Sequence, residues 1–162
     1  MPSSSKKPLV YLETSFISYL TARVSPNPKI ALDQSATRRW WDEERRKYNL
    51  RISEIVLNEA RKGDSDQVRL RLSVLDGIPS LPVTIEASRL AARLLSVHAL
   101  PASSEADAVH IAIAATFGVH FLLTWNCRHI ANAATLPLTT KTILEAGYAC
   151  PSIATPVQLL EV

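Results

Sequence analysis

Three acids and an amide stand where a polar side chain needs a reason. Glu13 follows the apolar run from Leu9 to Leu12, and Glu59 lies beside the apolar side made by Ile55, Val56 and Ala60. Asp107 opens the apolar stretch from Ala108 to Phe117, and Asn126 follows the apolar run from Val119 to Thr124. A carboxylate in such surroundings is costly unless it is paired or holds a cation. Hard oxygen donors without His or Cys suit Mg²⁺ or Mn²⁺, ions that keep waters and complete their shell with phosphate. A centre of that kind polarises a phosphodiester and activates a water.

Each residue also has a plainer use. Glu13 can accept hydrogen bonds from the start of the next helix, and Glu59 can pair with Lys62 at i,i+3. Asp107 has capping-box spacing from Ser104. Asn126 can be a turn residue, and His110 a satisfied core histidine. Trp40 and Trp41 read as core rather than as a platform for stacked bases. The joint pattern is stronger than its parts, because separate elements bring these groups to one sheet edge.

The positioning elements follow from the apolar pattern. Short strands are expected at Leu9 to Leu12, Leu50 to Ile52 and Val119 to Thr124, the last apolar as in a strand covered on both faces. Helices are expected from Thr14 to about Ala22, Lys29 to Lys47, Ser53 to Gly63, Asp64 to Leu75, after Thr84, and from Ser104 to Phe117. Gly118 takes the left-handed stop after the last of these. Ile78 to Val83 reads as a turn with a short extended piece, and Cys127 to Asn132 as one helical turn. A loop and a short segment near Leu144 come next, and Thr155-Pro156 opens a final short helix. Strands alternating with helices give an α/β sandwich with a mainly parallel sheet. Ligands of such sheets bind outside the carboxyl ends of the strands.

Much other chemistry is excluded. The four glycines are scattered, so no phosphate-cradling loop or dinucleotide fingerprint exists. There is no G-x-S-x-G elbow and no H-E-x-x-H helix. The two cysteines, Cys127 and Cys150, form neither a zinc site nor a disulfide framework, so a reducing compartment is expected. The 162 residues, 47% hydrophobic and 20% charged, suit one domain over 1–162, with a flexible tail over 1–7. A net charge of +3 and a pI near 9.0 are compatible with a polyanionic partner. No apolar segment follows MPSSSKK, so no secretory signal is expected. His110, Gly118 and His120 interrupt the longest apolar stretch, so no membrane span is expected.

The segments VYLETSF, SEIVLNEARKGD, SEADAVHIAIAA and FLLTWNCRHIAN resemble the PIN domain, in particular the VapC-like ribonuclease toxins of prokaryotic toxin–antitoxin pairs. The resemblance implies a three-layer α/β/α sandwich and a Mg²⁺- or Mn²⁺-dependent endoribonuclease. Its acids map onto Glu13, Glu59 and Asp107, with Asn126 at a fourth metal position and Thr14, Ser15 and Thr124 in support. It further implies a cytoplasmic homodimer whose site an antitoxin peptide occludes. The basic residues Arg38, Arg45, Arg46, Arg61 and Lys62 are candidates for RNA phosphates. Two positions depart from the family pattern: Glu13 replaces the usual Asp, and Asn126 replaces a common fourth Asp, so a second cation is held less well. The other readings are a non-catalytic PIN-like module binding nucleic acid or protein through a decayed site, and a phosphohydrolase acting on a small molecule. His129 and Asn132 receive no role from their spacing.

Overall fold

The computed structural model describes residues 6–160. The expected tail over 1–7 therefore falls largely outside the described residues. Five parallel strands form the sheet: β1 (Leu9–Leu12), β2 (Asn49–Ser53), β3 (Ser80–Leu81), β4 (Phe121–Leu123) and β5 (Ser152–Ala154). Their order is β3-β2-β1-β4-β5. The chain runs outward from β1 to β3 on one side and from β4 to β5 on the other. The order reverses between β1 and β4, which is where such sheets leave a crevice at their carboxyl ends. Tyr11 lies opposite Leu122, and Leu12 opposite Leu123.

Seven α-helices are present among the described residues: α1 (Thr14–Thr21), α2 (Pro28–Arg39), α3 (Glu54–Ala60), α4 (Ser65–Leu75), α5 (Ile85–Ser96), α6 (Glu105–Thr116) and α7 (Leu136–Glu145). They pack in two groups: α1 touches α2, α3 and α4, while α5 touches α6 and α7. With the sheet they make the expected three-layer sandwich. Helix starts follow local chemistry, with Glu13, Asn27, Ser53, Asp64 and Thr84 each accepting a first-turn N–H. Residues Val10, Tyr11 and Leu12 of β1 and Ile111 to Ala114 of α6 are fully buried, so the strand and helix that bracket the site form the centre of the core.

The structure corrects three expectations and adds one strand. The helix expected over 29–47 begins at Pro28, because Asn27 caps it and Pro28 takes N1. It then breaks into a π-turn at Trp40–Glu44 and a 3₁₀ turn at Arg45–Lys47. The wider turn brings both Trp40 and Glu44 into the interior. Leu136–Glu145 is a full helix, hidden in the sequence because two of its three buried residues are threonines, Thr139 and Thr142. β5 has three residues and lies at the sheet edge, too short for a periodic signal. The expected final helix is a 3₁₀ turn at Pro156–Leu159, closed by reciprocal bonds between Thr155 and Gln158. No helix among the described residues is long and apolar enough to cross a membrane.

Candidate metal centre

Glu13 sits at the junction of β1 and α1, on the crevice between β1 and β4. Its backbone N–H still donates to Leu123 O at 3.1 Å, so the strand pairing carries through to the site. Its Oε2 accepts from the backbone N–H of Ser15 at 3.0 Å, from Thr124 Oγ1 at 2.8 Å and from the Ser15 hydroxyl. The two hydroxyls are fixed in turn, since Ser15 Oγ accepts from Trp125 N–H and Thr124 Oγ1 from Asn126 N–H. Glu13 is 5% exposed. Its Oε1 takes no hydrogen bond from the described residues, yet Trp40 Nε1 is their one buried, unpartnered side-chain polar atom. The acid is thus both a helix cap and a carboxylate with one oxygen left without a hydrogen-bond partner among the described residues.

Glu59, on α3, accepts at Oε1 from Thr14 Oγ1 at 2.9 Å and from His110 Nε2 at 2.6 Å. It makes no ion pair with Lys62, and its close basic partner is His110. Burial pushes its carboxyl up. The His110 hydrogen bond, its charge when the ring is protonated, the Thr14 hydroxyl and the more distant Lys62 outweigh burial and leave it below the ordinary carboxylate value.

Asp107 lies in the first turn of α6, but the expected capping box does not form. Ser104 makes no side-chain cap bond. Its hydroxyl is 3.0 Å from His129 Nδ1, and Asp107 Oδ2 is 3.1 Å from the same nitrogen. His129 reaches that position because Asn126 Oδ1 accepts its backbone N–H at 3.0 Å and folds the chain after β4 into a turn. The Asn126 oxygen is thus spent on the turn, the plainer of its two expected uses.

The hydroxyls of Thr14, Ser15 and Thr124 all donate to the acids, Thr14 to Glu59 and the other two to Glu13. No Lys or Arg among the described residues pairs with Glu13, Glu59 or Asp107. Each of the three keeps one oxygen without a described hydrogen-bond partner. That donor set fits a hard divalent cation in its chemistry. In the geometry of this structure, no group of three or more His, Cys, Asp or Glu among the described residues is arranged to hold an ion. The basic candidates divide. Arg38 donates to Ala22 O, and Arg45 donates to Trp41 O while lying 4.8 Å over the Trp41 ring, so both guanidiniums bind their own chain. Arg46, Arg61 and Lys62 are exposed. Trp40 is core, as expected.

Sequence reasoning gave no site role to two residues that touch the acids. His110 follows Asp107 by three residues on α6 and His129 follows Asn126 by three. That spacing, which puts both residues of a pair on one face of a turn, was the available signal.

The PIN domain pattern matches residues 10–134, and the chain belongs to the PIN domain family. No curated protein matches the chain. Among solved structures, it is similar to Mycobacterium tuberculosis VapC20, described as a sarcin-ricin loop cleaving toxin, at a TM-score of 0.59 and 18% identity over 76% of this chain and 95% of that one. It is also similar to VapBC2 from Rickettsia felis, solved bound to a DNA fragment from its promoter, at a TM-score of 0.56 and 15% identity over 91% of this chain and 98% of that one.

Proposed function

We propose that this protein is a divalent-cation-dependent endoribonuclease, the cytoplasmic toxin of a toxin–antitoxin pair, built as one domain over 1–162. The observation that carries this reading is the set Glu13, Glu59 and Asp107 around the β1–β4 crevice, each held by hydroxyls or imidazoles and none neutralised by Lys or Arg among the described residues. These three would hold Mg²⁺ or Mn²⁺, with Asn126 at the rim. Bound there, the cation would supply Lewis-acid polarisation of an RNA phosphodiester. The chain's own residues do the rest. Thr14, Ser15 and Thr124 donate to the acids and fix their orientation. Oε1 of Glu13, left without a hydrogen-bond partner among the described residues, is the atom suited to orient the attacking water. Arg46, Arg61 and Lys62, exposed on the turns after α2 and α3, would take flanking phosphates. The likeness to VapC20 and VapBC2 supports an antitoxin partner, and a homodimer belongs to the same reading.

The test is incubation of the purified protein with mixed cellular RNA in Mg²⁺ or in EDTA. Discrete fragments with Mg²⁺ and none with EDTA are expected. Absence of fragments under both conditions, with RNA still bound, would favour the second reading, a non-catalytic PIN-like module. The lack of a ready three-group cluster among the described residues is the observation on that side.

A further inference from the structure

We infer that His110 is a positioning residue for Glu59, locked in one tautomer by a buried chain of hydrogen bonds that begins at the N-cap of α3 and ends on the Glu59 carboxylate. The inference rests on the cation-site reading above and adds to it the device that holds one of the acids.

The chain has four links. Val56 N–H donates to Ser53 Oγ at 3.3 Å. Ser53 Oγ is 2.8 Å from Tyr11 Oη, which is 2.6 Å from His110 Nδ1. His110 Nε2 is 2.6 Å from Glu59 Oε1. Tyr11, Ser53 and His110 are all fully buried, so no water competes for these atoms.

Donor counting sets the direction of every link. A carboxylate oxygen accepts, so His110 Nε2 carries a proton. In the neutral ring Nδ1 then accepts, and the Tyr11 hydroxyl must donate to it. Tyr11 has one proton, so its oxygen accepts from Ser53. Ser53, having donated its own proton, accepts from Val56 N–H. Every donor has an acceptor and the order has no alternative for a neutral ring.

The arrangement has a mechanical consequence. Ser53 caps the helix that carries Glu59, Tyr11 lies on the strand that ends at Glu13, and His110 lies one turn beyond Asp107 on α6. The three elements that carry the acids are joined by one directional chain. It occupies Oε1 of Glu59 and leaves Oε2 for a ligand. Partners of this kind, behind a metal-binding side chain, change metal affinity by about 10–100-fold when removed.

Two measurements test it. The first is ¹⁵N NMR of the metal-free protein labelled at histidine, at pH 8, with the His110 signals identified by their loss in His110→Gln. A pyrrole-like Nε2 and a pyridine-like Nδ1 are expected, and a proton on Nδ1 overturns the inference. The second is calorimetric titration with Mn²⁺ of wild type, His110→Leu, His110→Gln and Tyr11→Phe, each checked for folding by circular dichroism. His110→Leu should loosen Mn²⁺ by about 10-fold or more. His110→Gln, which restores an N–H at the reach of Nε2, should recover most of the loss. Tyr11→Phe should bind more weakly than wild type, and it keeps the test open if His110→Leu does not fold. Equal dissociation constants across the folded variants overturn the inference. If wild type takes no Mn²⁺, the cation-site reading fails, and the tautomer alone decides whether His110 holds Glu59.

Discussion

At the scale of single residues, the acids separate into a structural and a chemical part. Asp107 has no cap bond to lose, because Ser104 and Asp107 both turn to His129. Asp107→Asn should therefore abolish RNA cleavage while changing unfolding free energy in urea by less than the ~1 kcal/mol that a lost cap costs. Unchanged cleavage with reduced stability would return Asp107 to a purely structural role. Asn126 is the converse case. Its Oδ1 holds the His129 N–H, a bond that an aspartate oxygen can keep. Asn126→Asp should thus retain the turn, add a carboxylate beside Asp107 and tighten Mn²⁺, since affinity rises with ligand charge. An unchanged or weaker dissociation constant would show that position 126 faces away from the ion. Tyr11 gives a prediction in pH. Its pKa is raised in the folded protein, so the stability it contributes is intact below the ordinary tyrosine value of 10.0 and is lost as pH rises through the folded value. Wild type should lose stability in alkali more steeply than Tyr11→Phe, as read by urea unfolding between pH 9 and 11. Parallel curves would mean that Tyr11 titrates normally.

At the scale of elements, the sequence was informative wherever one residue both shapes and serves an element. β1 and β4 were legible because a doubly covered strand must be apolar throughout, and α6 because it is buried on nearly every side. Gly118 between α6 and β4 was legible for a backbone reason, and it has φ +67°. A Cβ there would meet nothing within 4 Å, so only the left-handed backbone opposes a side chain. Gly118→Ala should cost about 1–2 kcal/mol in urea unfolding and leave Mn²⁺ affinity unchanged. A larger loss would point to a packing role instead. What was not legible depended on tertiary contacts. α7 hid its inner face behind threonines, the π-turn at Trp40 depends on burying Trp40 and Glu44, and β5 is too short to carry a pattern. The roles of His110 and His129 were hidden likewise, because their partners lie 51 and 22 residues away in sequence.

At the scale of the molecule, the sheet order brings the chemistry together. Glu13 and Thr124 are 111 residues apart, yet they share a hydrogen bond because β1 and β4 are neighbours at the reversal of strand order. Glu59 comes from the β2 side and Asp107 from α6, so the proposed site would draw one acid from each packed layer. The central claim is that these acids act together on one divalent cation, and calorimetric titration with Mn²⁺ tests it most directly. Wild type and the combined Glu13→Gln, Glu59→Gln, Asp107→Asn variant would be titrated at the same pH and salt, with folding of both verified. Saturable binding by wild type, absent from the combined variant, is the expected result. Equal binding by both, or none by either, would contradict the claim.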